Sequence, residues 1–139
     1  MFKHIALAND GSEGGRKALE FACDLAKLHH ADLHMISVEE LPDFPASIDE
    51  VVETKQAENH KFHAVLEAAR RVAGEKGVEL QAEVVAGHAA ATIVERVKAL
   101  EADLLVVGFM GHSALYERII GGTTDRLVRL APCPVLVVK

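Results

Sequence analysis

Apolar residues recur along this chain in two alternating rhythms. Short runs rich in branched residues alternate with longer stretches that repeat every three to four positions. The first run, Phe2 to Asn9, carries Ile5, Ala6, Leu7 and Ala8 and is broken by Asp10-Gly11-Ser12. Ser12 suits the cap of a helix in which Ala18, Leu19, Ala22, Leu25 and Ala26 share one face. Asp32 to Val38 forms the second strand. A loop holding Pro42 and Pro45 follows, and Ser47-Ile48-Asp49-Glu50 has the form of a capping box. A long helix then runs to Gly77, with Phe62, Val65, Leu66, Ala69, Val72 and Ala73 on its apolar stripe and Lys55 and Asn59 interrupting its early turns. Those interruptions place its start over a rim. Val78 to Ala86 alternates apolar with polar residues, as an exposed strand does. Ile93, Val97 and Leu100 mark a third helix, and Asp103 to Val107 a strand covered on both faces. A helix starting after Thr123, with Leu127, Val128 and Leu130 turned inward, is stopped by Pro132, and Pro134 to Val138 is the last strand. Strict alternation of strand and helix specifies an α/β domain with a mainly parallel sheet.

The segment Gly108 to Asp125 has no simple place in that alternation. Gly108, Gly111, Gly121 and Gly122 are followed by Thr123 and Thr124 and then by the last helix. Glycines allow close approach of a backbone to a ligand, and a helix N-terminus presents free N–H groups and the positive end of its dipole, so the segment suits a phosphate. Glycine clusters after strands are more often turns. Neither GxGxxG nor GxxxxGK[ST] is present, so amides and hydroxyls would carry such a site, with Arg118 or Arg126 as cationic help.

Gly108-x-x-Gly111, nine residues, Gly121, a helix and the ending Ala131-Pro132-Cys133-Pro134-Val135 together resemble the universal stress protein family over the whole chain, 1–139, as one domain. The resemblance implies a doubly wound five-stranded parallel sheet in the order 3-2-1-4-5, with helices on both faces. It implies binding of ATP or another adenine nucleotide, with Mg²⁺ held mainly by phosphates and water. Asp10 matches an acidic residue that contacts the adenosine part, and Val38 a position whose backbone reads the adenine edge. Without the family, Asp10 is a turn residue and Val38 a core valine. Two positions depart from the family pattern. Gly122 stands where a Ser or Thr is expected, the hydroxyl coming one residue later at Thr123, and Met110 replaces a polar or basic residue.

Composition narrows the choice. With 139 residues, 50% hydrophobic and 26% charged, the chain has the make-up of one soluble domain. A net charge of −6 argues against nucleic acid and anionic membranes as partners, and no apolar run reaches spanning length. Cys23 and Cys133, without CxxC spacing, read as reduced and mostly buried thiols, which points to the cytoplasm.

The eight histidines include His60 with His63 and a group of His29, His30 and His34, but neither has the ligand set of a zinc site. His112, beside Gly111, suits a phosphate contact or a proton carrier, though a solvated loop histidine is the plainer reading. No nucleophile–base pair stands out. Three functions remain open at this point: an adenine-nucleotide-binding regulator or sensor of the stress response, a nucleotide-free dimeric interaction module with an unknown protein partner, and a slow ATP hydrolase. The apolar last strand ends the sheet order, so it predicts a homodimer by edge pairing, which the resemblance also implies.

Overall fold

In the computed structural model, residues 1–40, 48–109 and 120–139 are described. Five strands, β1 (His4–Ala8), β2 (Asp32–Glu39), β3 (Leu80–Ala86), β4 (Leu104–Gly108) and β5 (Val135–Val138), alternate with α1 (Glu13–His29), α2 (Ile48–Glu75), α3 (Ala89–Ala99) and α4 (Gly122–Leu130). The sheet order is β3-β2-β1-β4-β5 and every pairing is parallel. This is the doubly wound order expected, with its reversal between β1 and β4.

Side-chain alternation sorts the core into two layers. Ile5, Leu7, Leu33, Met35 and Val106 meet Leu19 and Cys23 of α1 and Ala69 and Ala73 of α2 on one face. Ala6, Ile36, Leu105 and Val107 meet Ile93 and Val97 of α3 and Leu127 of α4 on the other. Both faces of β4 are therefore covered, which is why Leu104 to Val107 is uniformly apolar.

Local chemistry sets the boundaries. The Gly15 N–H donates to Ser12 Oγ at 3.1 Å, capping α1. Three helices end alike, with His30, Gly77 and Glu101 in the left-handed region just past them. In each, the next N–H reaches back five residues: Ala31 to the Ala26 carbonyl, Val78 to Ala73 and Ala102 to Val97. Because its amide is used this way, Val78 closes α2 and does not open β3, which begins two residues later than its pattern suggests. Ser47 of the expected capping box lies outside the described residues.

Two expectations about α4 need correction. The helix starts at Gly122, before Thr123, and only Leu127 of its three apolar residues faces inward; Val128 and Leu130 are 49% and 57% exposed. Thr124 and Leu127 form the buried stripe of this short helix. Val128 is rotated about 100° from Leu127, and Leu130 lies in the last turn.

Candidate functional site

At the reversal, the chain leaves β1 toward one side of the sheet and β4 toward the other, opening a cleft beyond their carboxyl ends. It encloses about 330 Å³, near the lower end of the roughly 300–1,000 Å³ typical of small-molecule sites.

The β1 side is built by Asn9. Its backbone N–H donates to the Ile36 carbonyl at 3.1 Å, and its own carbonyl accepts the Ser37 hydroxyl at 2.7 Å, tying β1 to β2. Its side-chain oxygen accepts the Gly11 N–H at 3.0 Å, and its amide nitrogen donates to Met35 Sδ at 3.4 Å. One residue on, Asp10 Oδ1 accepts the Ser12 N–H at 3.0 Å. Two consecutive side chains thus fold the strand end into a tight turn that leads into the capped start of α1.

Gly14 and Gly15 complete this packing. A Cβ on Gly15 would run into the Asn9 side-chain oxygen, and a Cβ on Gly108 would lie 2.6 Å from the Gly14 carbonyl carbon and oxygen. The end of β4 therefore rests directly on the first turn of α1. This contact explains the glycine at position 108 without any ligand.

The β4 side leaves the sheet at Phe109 and returns at Gly121, whose N–H donates to the Phe109 carbonyl at 3.1 Å. Thr124 Oγ1 donates to the Gly108 carbonyl at 2.7 Å and is buried, so this hydroxyl anchors α4 to β4. Thr123 is exposed on the cleft, and nothing lies within 4 Å of a Cβ built on Gly122. The Asp125 N–H is the first in the helix to find an intrahelical acceptor, Gly121 O at 2.9 Å. The amides of Gly122, Thr123 and Thr124 form the first turn, where backbone donors lack intrahelical acceptors.

A model described as the universal stress protein family matches residues 1–139. The chain belongs to this family. A universal stress protein of Methanocaldococcus jannaschii is 32% identical over 144 residues, covering all of this chain and 83% of its own length. Universal stress protein YxiE of Bacillus subtilis is 32% identical over 151 residues, with both chains fully covered. Among solved structures, a universal stress protein in complex with cAMP is 25% identical with a TM-score of 0.74, covering 99% of this chain and 97% of its own. Universal stress protein UspA from Lactobacillus plantarum has a TM-score of 0.85 over 99% of this chain and 97% of its own, at 24% identity.

In this universal stress protein, seven of the nine residues singled out by the sequence line the one cleft: Asp10, Val38, Gly108, Gly121, Gly122, Thr123 and Thr124. Gly111 and His112 lie outside the described residues. The sequence reading passed over Asn9, although Asn-Asp-Gly is a turn signal. It also passed over Glu40 and Lys61, which line the cleft from beyond β2 and from α2.

The other candidates find local partners. His63 pairs with Glu67 at 3.2 Å along α2, and the ring of His29 packs edge-on against Phe2. His34 contacts Gln81 at 3.1 Å. Among the described residues, no group of three or more His, Cys, Asp or Glu is placed to hold a metal. Burial pushes the Cys23 thiol up to about 11, far from the thiolate range a nucleophile needs. Also among the described residues, no helix is long and apolar enough to cross a membrane.

Proposed function

We propose that this universal stress protein binds an adenine nucleotide in the β1–β4 cleft, as a homodimeric regulator or sensor of the stress response in the cytoplasm. The observation that carries the reading is convergence. Segments around residues 10, 38, 108 and 122, distant in sequence, wall one cleft whose β4 side ends in the amides of the α4 N-terminus. The related structure in complex with cAMP supports an adenine nucleotide as the ligand. Phosphate sits at the α4 amides with Thr123, and the nucleoside extends past Asp10 toward the end of β2 at Val38. ATP, with Mg²⁺ held by its own phosphates, is the ligand expected from the glycine spacing.

Titration calorimetry with ATP, ADP, AMP, cAMP and adenosine, with and without Mg²⁺, tests this directly, beside mass spectrometry of what co-purifies. Saturable binding of at least one is expected. Failure of all five, with no nucleotide co-purifying, would leave the nucleotide-free module as the reading, which Gly122 in place of a hydroxyl residue favours.

Two substitutions locate the ligand within the cleft. Asp10→Asn keeps an oxygen for the Ser12 N–H but exchanges the other carboxylate oxygen for a donor. Loss of an acceptor to the sugar is worth about 0.5–1.5 kcal/mol, so binding of ATP and adenosine alike should fall by roughly a few-fold to tenfold. Equal affinities would return Asp10 to its turn. Thr123→Ala should weaken ATP by a similar factor and leave adenosine alone, because the lost hydroxyl faces phosphate. Tighter ATP binding by Gly122→Ser would instead assign the missing contact to position 122, where the space is open.

A further inference from the structure

The cleft carries one feature that its glycines and strand ends do not account for. Helix α2 passes over the Asp10–Ser12 turn, with Val65 packed on Gly11 so closely that a Cβ there would lie 2.7 Å from Val65 Cγ2. Lys61 is four residues earlier on the same helical face, one turn closer to the α2 N-terminus. That position puts Lys61 on the wall of the same cleft as Gly108 and Thr123. Its Nζ stands 5.1 Å from the centroid of the Phe62 ring, and Phe62 is itself buried.

Charge gives this placement its meaning. Among the described residues that line the cleft, Asp10 and Glu40 supply carboxylates and Lys61 supplies the cation. A ligand with several phosphate charges is held more tightly where a full positive charge faces it. The α4 N-terminus answers from one side as a dipole, worth only a fraction of a charge. A lysine is a point charge with three donors on a flexible stem, able to follow a phosphate chain without a fixed geometry.

We propose that Lys61 is a ligand-binding residue that selects for the anionic part of the nucleotide, closing the cleft from α2 opposite the α4 amides. The assignment rests on the adenine-nucleotide reading above and deepens it. Lys61 sets how affinity depends on phosphate number, while the nucleoside contacts set the affinity for adenosine.

The test is a charge series. Adenosine, AMP and ATP are titrated against the native protein, Lys61→Gln and Lys61→Arg at low and high NaCl. For Lys61→Gln, adenosine affinity should stay within about twofold of native, and ATP affinity should fall about three- to tenfold, with AMP between them. The ATP difference should shrink at high salt, where an exposed charge is screened, and Lys61→Arg should restore most of it. Lys61 is exposed, so the fold does not depend on it, and adenosine binding serves as the internal control. Equal losses for adenosine and ATP, or no loss for either, would overturn the assignment while leaving nucleotide binding in place. A native protein that binds none of the three would overturn this assignment, and failure of ADP and cAMP as well would overturn the nucleotide reading with it.

Discussion

Gly108→Ala is expected to destabilise the protein by about 1–3 kcal/mol, the usual cost of forcing an extra methyl into a packed site. The added Cβ would meet the Gly14 carbonyl carbon and oxygen at 2.6 Å and its Cα at 3.0 Å, all backbone atoms. Neither side yields easily. Gly14 is in the first turn of α1, held by the Ser12 cap, and Gly15 beside it is pressed on Asn9. Gly108 ends β4, which is paired to β1 and β5, and its carbonyl accepts the Thr124 hydroxyl. Relief requires β4 and α1 to separate at the mouth of the cleft, so nucleotide binding should fall along with stability. Gly122→Ala is the matched control. It meets nothing within 4 Å, lies at the first residue of α4, and should leave stability unchanged or slightly raised. Urea unfolding of the two variants separates them. A Gly108→Ala protein as stable as native but unable to bind would mean that the glycine serves the ligand and not the packing.

That contact also marks the limit of what the sequence discloses. The pattern of apolar runs was enough for five strands, four helices and a parallel sheet, because burial on one or both faces leaves a periodic trace. The family resemblance supplied the strand order, and the order brings Asp10 and Gly108 to one crevice. The reason for Gly108 was not legible, since a glycine written for ligand approach and one written for a helix turn read alike. Gly14 and Gly15, costly residues in the first turn of a helix, are explained by the packing of Gly14 under β4 and of Gly15 against Asn9. Lys61 was hidden for a different reason. On a long amphipathic helix a cleft-facing lysine and a solvent-facing one obey the same periodicity, and its neighbour Phe62 marks the inward face. The α4 boundary was missed because a helix begun by Gly122 after an uncapped Gly121 carries no capping side chain to announce it.

The proposed homodimer yields the second large effect: Val137→Pro should convert a dimer to a monomer. Among the described residues, strand β5 is the sheet edge, its outer side facing no other strand. The carbonyls of Pro134 and Val138 accept from Leu105 and Phe109, so these residues turn their backbone groups toward β4. By alternation Val135 and Val137 turn theirs outward. An edge this apolar, flanked by the exposed Val128 and Leu130 of the adjacent α4, invites a second strand. Pairing about a two-fold axis places the same residue on both sides, so one substitution acts twice. Proline at 137 removes an outward N–H from each strand, leaves the partner's acceptor unmatched and sets a ring against its backbone, while every bond to β4 survives. With about 1–3 kcal/mol at stake for each of the two unmatched groups, association should weaken at least about 30-fold. Sedimentation equilibrium at micromolar concentration should give a dimer for the native protein and a monomer for the variant. The monomer should melt near the native temperature extrapolated to low concentration, because what is lost is the partner and not the fold. A native monomer, or a variant that stays dimeric, would place the interface elsewhere or nowhere. Among the described residues, the apolar outer edge would then be guarded only by Lys139 at its end.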